Sequence, residues 1–254
     1  MGVSAKTLVE KTNYLDKDIL YLRNILITEY DIKSAGFTTI KVKKLLPEDV
    51  ISDLEKLSKD QRSIYIGKQI LKHPKIGEEL INTLIDVRKD FVVLNDINEE
   101  DVLSIKRDAL FIIKKVPNHF KVGEFEFRPK GSYSSYCYLN GKEFYYSSKL
   151  DLLDIKGLSE DVREKQKDYL LKDIRKIIGM GEKLSSDQMF LFLKQYRSKY
   201  LNGKLDKETY RDLETGMYSV NGYQMIDISE DMIKDVDISQ NYINYLVPLF
   251  KLLV

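Results

Sequence analysis

The stretch ILITEYDIKSAGFTTI, residues 25–40, decides how this chain is read. Residues 25–32 are dense in β-branched side chains and read as a strand, although so short an apolar run is also compatible with a helix. After it the period changes. The apolar positions Phe37, Ile40, Val42 and Leu45 fit a helix expected from Ala35 to Leu46, where Pro47 should stop it. Asp31 sits at the switch between the two periods. An aspartate there is either a helix N-cap, worth about 1 kcal/mol, or the holder of something charged.

Outward from this point, 254 residues of which 43% are apolar are enough for one large domain or two small ones. Forty-one basic residues against forty acidic ones leave a net charge of +1, so any nucleic-acid surface must be local. No apolar run reaches the roughly 20 residues a bilayer span requires. The N-terminus lacks the apolar core of a signal peptide, and Lys6 stands where a lipidation signal has Ser or Thr, so a cytoplasmic protein without membrane association is expected. Cys137 is the only cysteine and reads as a small buried hydrophobe; with His73 and His119 the only histidines, a zinc site is not expected.

No internal repeat is evident. Helices are expected over 47–58, 59–72 and 76–94, so a helical insertion follows the first strand. In DVLSIKRDALFIIKK, residues 101–115, two apolar runs flank Lys106-Arg107-Asp108, the pattern of a strand, a tight turn and a second strand. Strand signals continue at 120–128, 132–139 and 142–148, with Asn140-Gly141 as a type I′ hairpin turn. Helical periods return over 159–179, 185–201 and 239–253. The chain thus divides into an α/β part, 1–157, with a helical insertion at about 35–97, and a mainly helical part, 158–254.

Two aspartates stand apart from the other acids. Asp31 closes the first strand and Asp108 lies at the turn of the hairpin. If the strands are neighbours in one sheet, the carboxylates meet at its edge, repel, and are best reconciled by divalent cations. Two magnesium ions about 4 Å apart can polarise an attacking hydroxyl and neutralise a leaving pyrophosphate.

DIKSAGFTTI resembles the first catalytic motif of family A and family B DNA polymerases, and LSIKRDALFII is similar to their second, a hairpin whose aspartate precedes a small residue and an apolar strand. The order first motif, helical fingers, hairpin, thumb also agrees. RPKGSYSSYCYLNGKEFYYSSKLDLLDIKGLSEDVR resembles the family B region with a Lys-x-x-Tyr element and a later Lys-Gly element followed by Arg. The resemblance, which covers roughly residues 25 to 200, implies an α+β fold: a palm with an antiparallel sheet, a helical fingers insertion and a mainly helical thumb. It further implies that Asp31, Asp108 and the carbonyl of Ile32 ligate Mg²⁺ or Mn²⁺. Ser34, Gly36, Arg62, Lys68 and Lys72 would meet the nucleotide, and Lys130, Tyr133, Lys156 and Arg163 the primer–template. Gly36 stands where the family has a bulky residue that excludes ribonucleotides, so relaxed sugar selectivity is expected. Lys106 and Arg107 occupy places that are acidic or catalytic in the family, so only one of the usual acids of the second motif remains. The absence of room for an exonuclease domain suggests a reduced polymerase core from a virus or mobile element, working in the host cytoplasm.

Plainer readings stand beside these. Asp31 alone is most often a cap and Asp108 a turn residue. Lys41, Lys43 and Lys44 are a solvated helix face, and the stripe in QMFLFLKQYRSKYL is core or faces a partner. The functional alternatives are a template-dependent nucleotidyltransferase and a catalytically inactive polymerase-like module that binds nucleic acid or a replication protein. In the second, Lys106 would neutralise Asp108 without metal. An unrelated α/β protein with chance motifs is a third.

Overall fold

A computed structural model describes residues 5–238 and 240–254. The Met1-Gly2 start and residue 239, where the last predicted helix begins, lie outside the described residues. The chain forms two compact units, Met1–Lys17 with Leu26–Ser132 and Asp18–Ile25 with Tyr133–Val254. Both contain helices and antiparallel strands, an α+β composition.

The first unit begins with the short helix α1 (Ala5–Leu8) and strand β1 (Asn13–Leu15). Strand β2 (Tyr21–Ile32) enters it at Leu26. Helices α2 (Ala35–Lys43), α3 (Glu48–Glu55), α4 (Lys59–Lys72) and α5 (Pro74–Leu94) follow. Strands β3 (Val102–Lys106) and β4 (Ala109–Ile113) form the predicted hairpin. Strand β5 (Lys121–Val122) turns back into β6 (Phe125–Leu139). The strands of this unit run in the order β1-β3-β4-β2-β6. β4 is buried along its whole length, which is what a continuous apolar run in a central strand requires.

Local chemistry sets most helix ends. The α4 start is a capping box: the Gln61 backbone N–H donates to Ser58 Oγ at 3.3 Å and the Ser58 N–H donates to Gln61 Oε1 at 3.1 Å. Pro74 opens α5, where its missing N–H costs nothing. α2 ends earlier than Pro47 predicts. Lys44 turns left-handed at φ 50° and the Leu45 N–H donates to the Ile40 carbonyl at 3.1 Å, an αL-type termination before Pro47 is reached. One face of α5 covers the sheet, where Phe91 stacks on Phe127 with ring centroids 3.8 Å apart.

In the second unit β6 pairs with β7 (Lys142–Ser147), which pairs with β8 (Leu152–Lys156). Asn140 at φ 46° and Gly141 at φ 75° make the predicted type I′ turn. The strand signals at 120–128 and 132–139 belong mostly to the single strand β6, because the intervening Pro129-Lys130-Gly131 does not break it. The predicted helix over 159–179 is two, α6 (Glu160–Gln166) and α7 (Leu170–Lys183). α8 (Ser186–Leu201) follows, then the small hairpin β9 (Tyr218–Val220) and β10 (Tyr223–Met225). The chain closes with a π-helical turn at Tyr242–Leu246 and α9 (Val247–Leu253). Packing places strand residues 133–156 with the C-terminal helices, in one core of Phe144, Tyr146, Ile174, Ile177, Ile178 and Leu249. Cys137 is part of it, fully buried, and burial pushes its thiol well above the ordinary range.

At Gly179 on α7 a β-carbon would stand 2.7 Å from the Tyr146 hydroxyl. Gly179→Ala is therefore expected to lower stability by about 1–3 kcal/mol, as overpacking does. Tyr146→Phe in the same chain should recover part of that loss, so urea unfolding of the double variant should show less than the sum of the single effects.

Candidate functional site

β2 and β4 pair with Tyr30 opposite Leu110 and Asp31 opposite Ala109, and the Ile32 N–H donates to the Asp108 carbonyl at 3.3 Å. That register sets the two aspartates side by side at one end of the sheet. Asp31 is not a helix cap. It lies within β2, and the residue before α2 is Ser34, left-handed at φ 50° with no side-chain cap bond. Arg107 is also left-handed, φ 54°, which tightens the hairpin turn that presents Asp108.

A buried arginine holds this turn. Arg88 of α5 is 1% exposed. Its guanidinium donates to the carbonyls of Val9 and Lys11, each at 2.9 Å, and to that of Arg107. The Arg107 N–H in turn donates to the Thr12 carbonyl at 3.0 Å. Burial lowers the Arg88 pKa to about 10, partly offset by the charge of Asp108, so it remains a cation at neutral pH. Nothing in the amphipathic pattern of α5 distinguishes this arginine from a surface one.

Burial raises the pKa of Asp108, and the neighbouring Asp31 raises it further through its charge and a shared hydrogen bond; Lys130 acts in the opposite sense. Asp31 pairs with Arg128, Oδ2 to Nη2 at 3.5 Å. Lys130 pairs with the buried Glu29 at 3.2 Å. Among the described residues no group of three or more His, Cys, Asp or Glu side chains is arranged to hold a metal ion. Two acids and the backbone at Ile32 are what this site offers a cation.

The carboxylates open onto a cavity of about 370 Å³ inside the first unit. Asp31, Ile32 and Asp108 form one wall, with Ser34, Gly36 and Phe37 at the start of α2. One face of α4 also lines the cavity, where Lys59, Arg62, Ser63, Ile66, Gly67 and Ile70 recur at helical spacing. Arg62 stacks its guanidinium over the Phe37 ring, 4.9 Å from the centroid. Lys68 and Lys72, predicted to accompany Arg62, are exposed and absent from this lining, because they fall on another face of α4. Lys59 and Arg107 line the cavity instead, and the sequence reading missed both. Lys59 was legible as a residue three positions before Arg62. A β-carbon built on Gly36 meets nothing within 4 Å.

Of the expected nucleic-acid contacts, Lys130 lies in the first unit and the other three in the second. There they converge on Asp154. The buried Tyr133 donates its hydroxyl to Asp154 Oδ2 at 3.0 Å, Lys156 approaches at 2.7 Å and Arg163 at 3.8 Å. Burial would raise the Asp154 pKa, but the hydrogen bonds and charge of Lys156, with the Tyr133 hydroxyl, outweigh it and hold the carboxyl below its ordinary value. A larger cavity of about 1010 Å³ also lies in the second unit. Three of the four cations that line it are matched, Lys165 by Asp161, Lys207 by Asp227 and Arg211 by Glu208; Lys204 is the fourth.

The fold and site define an α+β protein whose sheet brings two carboxylates together at a cavity that Lys59 and Arg62 also line. Over residues 4–254 the sequence matches the family described as "Bacteriophage PBS1 gene 130 protein", and the chain belongs to that family. It is thus a phage protein family. No curated protein matches the sequence. No helix of the described residues is long and apolar enough to cross a membrane.

Because Asp108 has a raised pKa in the folded chain, the native state binds its proton more tightly than the unfolded state does. Stability is therefore lost as pH rises from the ordinary value of 3.8 through the raised one, and the loss persists above it. Asp108→Asn removes this dependence. In metal-free buffer its urea midpoint is expected to exceed that of the unaltered chain at pH 7, with the difference shrinking towards pH 4; the reverse ordering would contradict the repulsion.

Proposed function

We propose that this chain is a template-dependent nucleotidyltransferase of the DNA polymerase type. The observation that carries the reading is the cavity lined by Asp31 and Asp108 together with Lys59, Arg62 and Arg107. Acids and cations lining one cavity suit a metal-bound triphosphate, whose phosphates need the cations and whose metal needs the acids. Asp31, Asp108 and the Ile32 carbonyl would hold Mg²⁺ or Mn²⁺, which would activate the primer 3′-hydroxyl and neutralise the departing pyrophosphate. In this reading the first unit supplies a palm with α2–α5 as fingers, and the C-terminal helices supply a thumb. Arg62, braced on Phe37, grips the triphosphate with Lys59 and Arg107. Lys130 balances the charge near Asp108, and Tyr133, Lys156 and Arg163 form the primer–template contact around Asp154.

A second reading, an inactive polymerase-like module that binds nucleic acid or a replication protein, is favoured by one observation. Arg128 already sits on Asp31 at 3.5 Å, and the charge of Lys130 acts on Asp108. These cations compensate the carboxylates without metal.

Primer extension with Mg²⁺ or Mn²⁺ and either deoxyribonucleotides or ribonucleotides separates the two. Catalysis predicts extension that Asp31→Asn and Asp108→Asn each reduce by about a hundredfold or more, the size of effect expected when charge stabilisation of a transition state is removed. Duplex binding without extension under either metal supports the inactive module.

The open space at Gly36 adds a second measurement. The unaltered chain should use ribonucleotides nearly as well as deoxyribonucleotides. Gly36→Tyr should shift the ratio towards deoxyribonucleotides by at least about tenfold, by placing a steric obstacle against the 2′-hydroxyl. Strong rejection of ribonucleotides by the unaltered chain would remove Gly36 from this role.

A further inference from the structure

In the second unit, α8 and α9 leave an apolar groove of about 540 Å³ between them. On α8 it is lined by Phe190, Leu193, Lys194 and Arg197, which recur at i, i+3, i+4 and i+7 and so form one continuous helix face. On α9 and just beyond it Phe250, Lys251 and Val254 line the other side. The walls are tied together beneath the groove, where Tyr196 meets Phe250 edge-on with centroids 6.1 Å apart. Phe190 is 54% exposed and Val254 63% exposed, and the neighbouring Leu191 is 58% exposed. Large apolar side chains grouped in this way mark an interaction site more often than isolated ones do.

The charge around the groove names the occupant. Lys194, Arg197 and Lys251 border it, no aspartate or glutamate side chain lines it, and among the described residues none of the three forms an ion pair. The chain as a whole carries forty-one basic and forty acidic residues, so the groove is locally basic against a near-neutral total. The larger cavity of the same unit, by contrast, is lined by the acids Asp161, Asp206, Glu208, Glu214 and Glu230 as well as by cations. We infer that the α8–α9 groove receives an amphipathic helix of a partner protein, its apolar stripe seated between Phe190 and Phe250 and its acidic flanks against Lys194, Arg197 and Lys251. A helix lying in a groove between two helices matches the i, i+3, i+4, i+7 spacing already on α8. The rim charges select the partner and steer its approach, and the apolar floor supplies the buried area.

The chain has no tryptophan, so Phe190→Trp places a single reporter in the groove. Two synthetic helices serve as probes, both with leucine at i, i+3, i+4 and i+7, one flanked by glutamates and the other by lysines. Saturable change in tryptophan emission with the glutamate helix, weakened by salt and absent with the lysine helix, is the expected result. In the Phe190→Trp background, Lys194→Glu, Arg197→Glu and Lys251→Glu together should weaken glutamate-helix binding by about tenfold, the sum of three exposed ion pairs, and should let the lysine helix bind. That switch of preference also shows that the charge-reversed chain is folded. No response to the glutamate helix, equal response to both helices, or self-association of the unaltered chain that Phe190→Asp abolishes would each overturn the inference.

Discussion

The register of β2 against β4 is the constraint on which the site depends. With Asp31 opposite Ala109, the residue next to it across the ladder is the last of the Arg107-Asp108 turn, and two acids far apart in sequence are brought together. Strand register is not free to slip here. Moving β2 by one residue would turn Tyr30 and Ile32 out of a core that includes Phe91 and Phe127. Burial of the aromatic face thus compels the proximity of two like charges at the strand end, and Asp108, whose pKa is raised first by its own burial, is raised further by the charge of Asp31.

Arg88 makes this arrangement tolerable. Its three carbonyl partners come from the N-terminal segment and the hairpin turn, so one buried side chain joins α5, residues 9–12 and the turn carrying Asp108. A buried cation bonded to carbonyls is costly to desolvate, and its pKa is lowered accordingly. Its charge, within reach of Asp108, partly repays that cost in the same place. Arg128 and Lys130 on β6 complete a ring of cations around the acids. The site therefore has two ways to balance its carboxylates, bound divalent metal or its own cations, and the proposed activity depends on which prevails when nucleotide is present.

The same residue types serve different ends in the two units. In the first, cations and acids line one cavity. In the second, Tyr133, Lys156 and Arg163 close on Asp154, and Lys194, Arg197 and Lys251 border an apolar groove. Near-neutral overall charge conceals this segregation, which is why composition excluded a polycation yet said nothing of local surfaces.

Much of the local architecture was determined by sequence alone, because its causes are local. The β-branched run 25–32, the Asn140-Gly141 turn and the apolar strands around Lys106-Arg107-Asp108 act through neighbours a few residues away, and each element exists where its pattern stands. The same holds for the α+β class and for the order of strand, helical segment and hairpin. What only the tertiary structure decided is what depends on contacts between distant segments. The face of α4 that meets the acids selects Lys59 and Arg62 over Lys68 and Lys72, and helical periodicity cannot choose between faces when both carry lysine. Arg88 becomes a clamp only because α5 lies over residues 9–12 and the 107–108 turn. Whether Asp31 caps a helix or faces a second carboxylate was likewise open until β4 was placed beside β2, since a cap needs one turn of chain and a carboxylate pair needs a sheet.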